Sequence, residues 1–359
     1  FALALLSAPL AAQRPIPYPV TPPEAYTQAI EAGTRTLEGA PGPNYWSDEV
    51  AYRIEAELEP ETAMVSGRAF LTYTNRSPNP LRQLRIHLRQ NLHKEGVMRT
   101  RTVEVTGGVT VGEVTVNGKK ASARVFDTRC IVQLPEALGN GDSATVSIDW
   151  SFRVPRAGRA PRMGHEQNHV FYLGYWYPQF AVHDDVFGWV GEQYRGNGEF
   201  YMPYGDYDLS FTAPANWLVR ATGTLQNADE ILTDKALGRL ADAMQSREIQ
   251  NVITRADLEN GEVTRQKEGK VTWRFRAENV RDIAVSASDR YVWDATHAVA
   301  PGREPVEIHS VYEPESSTWP KSAEYARHTI EWMSENLFPY PWPHMTACEG
   351  IIGGGMEYP

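Results

Sequence analysis

Tyr52-Arg-Ile-Glu-Ala-Glu-Leu58 alternates apolar and polar residues without a break. A strand turns successive side chains to opposite faces, so this period of two reads as a strand with one face buried. The same alternation, or a β-branched and aromatic run, recurs at residues 67–73, 84–88, 109–116 and 144–154, and again at 170–177, 207–212, 217–221 and 271–277. Turn chemistry separates these runs, as in Asn75-Arg-Ser-Pro-Asn-Pro80 and Gly139-Asn-Gly141. Asn117-Gly118, between Val114-Thr-Val116 and Lys119-Lys-Ala, predicts a tight hairpin. From Tyr45 to about Asp294 the pattern predicts a β-sandwich or saddle, interrupted by helical spacing over 232–249.

The pattern changes near residue 300. Ala298-Val-Ala-Pro-Gly-Arg-Glu-Pro305 has the composition of a linker, and Val306-Glu-Ile-His-Ser-Val-Tyr312 that of a strand. A helix follows, with Ser317 or Thr318 as its N-cap and Pro320 in the first turn, where a missing N–H costs nothing. Ala323, Ala326, Ile330, Met333 and Leu337 define its buried face, and Phe338-Pro-Tyr-Pro-Trp-Pro343 stops it. A second strand, 344–352, leads into a glycine run. Strand, helix and strand open an α/β domain that the remaining residues are too few to complete. The expected organisation is a signal-peptide remnant at 1–12, a Pro-rich arm at 13–43 with a short helix around 24–38, a β-rich domain at 44–297, and the start of a second domain at 298–359.

Composition narrows the function. The 359 residues are 42% hydrophobic and 22% charged, as expected for a folded globular chain. The net charge of −10 repels phosphate backbones, and no basic patch stands out in the sequence, so nucleic acid is excluded as a partner. Phe1-Ala-Leu-Ala-Leu-Leu-Ser-Ala-Pro-Leu-Ala-Ala12 reads as the back half of a signal peptide cleaved near Ala12, which implies export to the periplasm, cell surface or medium. No later stretch is apolar enough to span a bilayer. Cys130 and Cys348 are too few for a disulfide scaffold, and nothing nominates Cys348 as a nucleophile. The aromatic cluster of Tyr172, Tyr175, Trp176, Tyr177, Trp189 and Tyr194 is expected to form core.

Two motifs carry chemistry. His165-Glu-Gln-Asn-His169 matches the H-E-x-x-H of zinc proteases, but that chemistry needs a helix to put both histidines on one face. Here Pro161 and Gly164 precede it and strand composition follows, so His165, Glu166 and His169 are read as a decoy rather than metal ligands. Gly353-Gly-Gly-Met-Glu-Tyr-Pro359 follows an apolar strand, and its glycines permit close approach of a ligand to backbone. Glu357 could bind a cationic amine there.

This glycine run resembles the G-x-M-E-N type loop of the aminopeptidase N family of zinc metallopeptidases. Further segments are similar to the family's bacterial members in order and spacing: Tyr175-Trp-Tyr-Pro-Gln179, His183-Asp-Asp185 with Gly188-Trp189, and Gly198-Glu-Phe-Tyr201 running into Gly205-Asp-Tyr-Asp208. Pro214-Ala-Asn-Trp-Leu-Val219, Ala221-Thr-Gly-Thr224, Asn279-Val-Arg-Asp-Ile-Ala284 and Tyr291-Val-Trp293 continue the series. The resemblance covers about residues 45 to 359. It implies a mainly β saddle domain followed by the start of a thermolysin-like α/β catalytic domain, in an enzyme that hydrolyses peptides from a free N-terminus. By matching, Gly353, Gly354 and Gly355 line the substrate backbone, Met356 and Tyr358 flank the site, and Glu357 holds the α-amino group. Tyr358 stands where the family usually has Asn. Gln179 is the candidate that completes the amine site from the β domain. The resemblance also implies that the zinc ligands, an H-E-x-x-H helix and a later Glu, lie beyond Pro359, so the chain is expected to be an inactive fragment that binds no zinc itself. The competing expectation is an exported β-sandwich that binds a partner without catalysis.

Overall fold

A computed structural model describes residues 21–158, 162–198 and 200–351. The expected signal-peptide remnant and the residues Gly353, Gly354, Gly355, Met356, Glu357 and Tyr358 lie outside the described residues. The chain divides into two units, residues 1–46 with 185–187, and the remainder.

In the small unit the expected helix at 24–38 is the shorter Glu24–Glu31. Gly33, at φ +72°, ends it by taking a left-handed backbone that side chains resist. Arg35 clamps Asp185 with two hydrogen bonds of 2.8 and 2.6 Å and lies over the Tyr45 ring. Burial pushes the Asp185 carboxyl up, but the fork of Arg35 outweighs it and holds the group below the ordinary carboxylate value.

The large unit is built on an eight-stranded sheet, in the order Thr224–Leu225, Lys270–Val280, Gly205–Pro214, Glu49–Glu59, Met64–Thr74, Ser143–Arg153, Thr110–Val116, Lys119–Lys120. The quoted alternation becomes Glu49–Glu59, with Tyr52, Ile54, Ala56 and Leu58 in the core and their neighbours in water. Each such fully buried aliphatic side chain contributes about 1.5–3 kcal/mol. Its pairing with Gly205–Pro214 is parallel, the other long pairs of the sheet being antiparallel. Asn117 and Gly118 both have positive φ, at 48° and 76°, and close the expected hairpin.

Two further sheets of four strands pack on this one. One runs Gln179–Phe180, Leu81–His87, Arg129–Leu138, Ala123–Phe126, and the other Leu218–Ala221, Val285–Ser288, Val170–Leu173, Gly164–Glu166. The run at 170–177 is a strand only through Leu173. Tyr175 takes φ +41°, which turns the chain and sends Tyr175, Trp176 and Tyr177 into the core with Tyr194, as the aromatic reading expected.

The last sheet orders Gln250–Ile253, Val292–Ala298, Val306–Tyr312 and His344–Cys348. Residues 299–305, expected as a linker, are the loop of a hairpin, because Val292–Ala298 pairs antiparallel with Val306–Tyr312 over seven residues. The sheet therefore continues across residue 298. The helix begins at Ser322, later than expected: Trp319–Lys321 forms a 3-10 turn around Pro320, and neither Ser317 nor Thr318 caps the helix with its side chain. Ala323, Ala326 and Ile330 are buried as expected, but Met333 and Leu337 are exposed and Ser334 is buried in their stead. From there the chain adds His344–Cys348 parallel to Val306–Tyr312, completing a strand-helix-strand crossover.

Candidate functional site

Tyr175-Trp-Tyr-Pro-Gln179 and Asn279-Val-Arg-Asp-Ile-Ala284, a hundred residues apart, pack on one another. Trp176 Nε1 donates to the Ile283 carbonyl at 2.9 Å, and Tyr177 OH donates to Asp282 Oδ1 at 2.7 Å. Gln179 sits at the centre and is 1% exposed. Its Nε2 donates to Tyr177 OH at 3.2 Å and to the Arg281 carbonyl at 3.0 Å, while Arg89 donates to its Oε1. Tyr52 stacks on Tyr207 at 4.5 Å and roofs the cluster, its OH accepting from Phe180 N. Asp282 is fully buried. Desolvation pushes its carboxyl up to about 6, against the Tyr177 hydrogen bond and the Arg89 charge, which pull it down. The carboxamide of Gln179 is thus held on three sides by protein.

The second polar cluster lies where Leu218–Ala221, Val285–Ser288 and Lys270–Val280 face the strand His344–Cys348, around a cavity of about 1150 Å³. Arg220 lines it. The residue is 1% exposed, lies over the rings of Trp293 and Phe275, and its Nε and Nη2 meet no hydrogen-bond partner among the described residues. Desolvation lowers its guanidinium to about 10, against the Glu307 charge, which raises it. Burying guanidinium nitrogens without partners is costly, and the rings of Trp293 and Phe275 offset part of that cost.

Two more unanswered groups share the wall, His344 Nδ1 and Thr346 Oγ1. Gly223 N donates to His344 Nε2 at 2.6 Å, so Nε2 carries the lone pair. Desolvation, with the Arg220 charge, lowers this imidazole to about 3 and keeps it neutral. Its proton therefore sits on Nδ1, a donor. Gly223, at φ +104°, is required: a Cβ there would stand 2.5 Å from the Arg276 carbonyl oxygen. Arg220, His344 Nδ1–H and Thr346 hydroxyl make a wall of donors suited to acceptor atoms such as carboxylate oxygens.

Beyond this wall the chain is pinned on its way to the glycine run. Tyr291 OH donates to the Glu349 carbonyl at 2.5 Å, and Glu313 N donates to Glu349 Oε2 at 2.7 Å. Cys348, half-buried on the same strand, has a thiol that desolvation pushes up to about 12, too high for a thiolate nucleophile.

His165 to His169 form a hairpin: Glu166 pairs with Val170 and His165 with Phe171, while Gln167 and Asn168 take positive φ in the turn. His165 stacks on Phe171, and His169 Nδ1 lies 2.8 Å from Asp289 Oδ2. The helix a zinc grip needs is absent from this segment. Among the described residues no three His, Cys, Asp or Glu side chains gather as a metal site.

Arg89, Arg220, His344 and Thr346 escaped sequence reading. Nothing local distinguishes them, because each acquires its role from a strand distant in the chain. Asp282 lay inside a quoted motif and was within reach.

No family model matches the chain, and no curated protein sequence does. Solved structures do match in fold. An M1 zinc metallopeptidase from Deinococcus radiodurans aligns at a TM-score of 0.52 and 13% identity, over 86% of this chain and 57% of that one. A single-residue variant of it, bound to a Tyr-Ser-Ala substrate, aligns at 0.53 and 14%, over 86% and 58%. A two-domain M1 zinc metallopeptidase variant bound to L-tryptophan aligns at 0.52 and 13%, with the same coverage as the Tyr-Ser-Ala complex. The mainly β fold of this chain is therefore that of M1 metallopeptidases, and the chain spans a little under three fifths of their length.

Proposed function

We propose that this chain is the amino-terminal portion of an exported zinc metallopeptidase that removes residues from peptides with a free N-terminus. The observation that carries it is the fold likeness over 86% of the chain, joined to a strand-helix-strand crossover whose last strand runs into Gly353-Gly-Gly-Met-Glu-Tyr-Pro359. Solved neighbours that hold a Tyr-Ser-Ala peptide or a free amino acid support the substrate class.

In this proposal the backbone of Gly353, Gly354 and Gly355 hydrogen-bonds an extended substrate, which fixes its register. Met356 and Tyr358 flank the site. Glu357 binds the α-ammonium by a charge-assisted hydrogen bond and so selects chain ends. Gln179 enters through Oε1, which Arg89 holds in place and which keeps a second lone pair for an amine. Zinc in such an enzyme supplies a Lewis acid and an activated water. The described residues do not fit that ion, since His165 and His169 lie in a hairpin, and its ligands are expected after Pro359.

The product of the complete coding sequence tests this with aminoacyl-coumarin substrates. Glu357→Gln is expected to lower kcat/KM by about 10- to 100-fold, the worth of a hydrogen bond to a charged group. Unchanged kcat/KM in a folded variant would remove Glu357 from the amine site.

A further inference from the structure

The sheet Gln179–Phe180, Leu81–His87, Arg129–Leu138, Ala123–Phe126 assembles a basic face from residues spread over 45 positions. Arg85 pairs with Ile131, and Ile131 with Arg124. One step along, His87 pairs with Arg129, and Arg129 with Phe126. Cross-strand partners point to the same face, and residues two apart on a strand do too. Arg85, Arg124, Arg129 and His87 therefore share one face, with Arg85 and Arg124 about 10 Å apart at two strand spacings, within reach of converging guanidinium groups. Leu84, Ile86 and Val132 occupy the opposite face, in the core.

These side chains line a pocket of about 230 Å³ with Phe126, Ile131, Ala181 and Gly191, and none of its lining residues is acidic. In a chain of net charge −10, three arginines without a carboxylate beside them are not an average surface. Nor are they simply hydrated. Arg85 Nε, Arg129 Nε and His87 Nδ1 are sealed from solvent and meet no hydrogen-bond partner among the described residues, and His87 is only 7% exposed. Arg129 spends Nη1 on a long 3.5 Å contact with the Gly191 carbonyl, and Arg124 lies over the Phe126 ring.

We propose that this pocket binds a tetrahedral oxyanion, phosphate or sulfate, free or as the ester of a small molecule. With Arg85 Nε and Arg129 Nε sealed, the outer Nη atoms of these two arginines and the exposed guanidinium of Arg124 are the donors that meet the oxygens of such a group. Phe126 and Ile131 offer an apolar rim for the body of an ester. The volume suits one tetrahedral group with a few waters, each of which takes about 30 Å³.

Calorimetric titration of the chain with inorganic phosphate and with sulfate, at ionic strength held constant with chloride, tests the site. Saturable binding of one anion per chain is expected, with Kd of about 1 mM or below. Arg85→Gln with Arg129→Gln is expected to weaken it at least about tenfold, and Arg124→Gln, on the exposed edge strand, about threefold. Should the double variant not fold, Arg85→Lys with Arg129→Lys keeps the charge, loses the forks, and is expected to cost about threefold or more. Phenyl phosphate and phenyl sulfate identify the source. An ester that binds at least as tightly as its free ion assigns an ester ligand, and a free ion that binds alone assigns the free anion. The proposal is overturned if no saturable heat appears up to about 50 mM anion, or if folded Arg124→Gln and lysine or glutamine variants all bind phosphate as the parent chain does.

Discussion

Two buried polar clusters in the large unit were built to different ends. Around Gln179, Arg89 donates to Gln179 Oε1, Gln179 Nε2 to Tyr177 OH and Tyr177 OH to Asp282 Oδ1, while Asp282 Oδ2 meets no partner among the described residues. Arg220, His344 and Thr346 line a cavity, and Arg220 Nε and Nη2, His344 Nδ1 and Thr346 Oγ1 are buried in its wall without a partner among the described residues. The first is a connected chain of hydrogen bonds that fixes the positions of its members. The second gathers three donor-bearing side chains, Arg220, His344 and Thr346, on one wall of a cavity.

Breaking the connected chain has the largest expected effect. Arg89→Met leaves Gln179 Oε1 without its donor and Asp282 without its nearest cation, both buried. Stability should fall by about 3–5 kcal/mol in urea unfolding. A loss under about 1 kcal/mol would mean that the network holds nothing in place.

Acid is expected to act next, through the imidazoles. Desolvation lowers His309 to about 4 and His344 to about 3, against an ordinary 6.5. A depressed histidine contributes stability above its unfolded pKa and loses it as pH falls toward the folded one. Asp282 runs the other way: raised to about 6 from 3.8, it contributes stability below 3.8 that is lost as pH rises through about 6. Between pH 6 and 4 the unfolded chain carries about two protons on these histidines while the folded chain carries about one, on Asp282, so the difference stays near one. The net is a loss of about 2–3 kcal/mol on acidification. A urea midpoint that rises from pH 6 to 4 would contradict the histidine environments.

Opening the unanswered cluster should cost little. Arg220→Met keeps the packing against Trp293 and Phe275 and removes an unpaired buried charge, so stability is expected to hold or rise by up to about 2 kcal/mol. A loss like that of Arg89→Met would show that Arg220 is already paired. Smallest of all is His169→Ala, which removes a part-exposed hydrogen bond with Asp289 and should change stability by less than about 1 kcal/mol. The proposed peptidase activity is expected to be unaffected by it.

The contrast also marks what could be read in advance. Alternation at 52–58 located a strand and its buried face, because burial on one side is a local, period-two constraint. Val306–Tyr312 matched residue for residue. The parallel partner of Glu49–Glu59 lies 150 residues on, and no local signal chooses it. Met333 and Leu337 fit a helical stripe, yet both are exposed and Ser334 is buried in their stead. The resemblance singled out the segments that hold Gln179 and Asp282, and these pack on one another. Arg220, His344, Thr346 and the arginine face depend on register between distant strands, and sequence spacing is silent on register. The absence of a basic patch held along the chain and failed across the sheet.

The central claim is that the complete enzyme reads a free N-terminus. Its product should be incubated with Tyr-Ser-Ala and with the N-acetylated tripeptide, with and without a zinc chelator, and followed by mass spectrometry. Release of tyrosine from the free peptide alone, abolished by the chelator, is the predicted result. Equal cleavage of the acetylated peptide, or cleavage that survives the chelator, would contradict it.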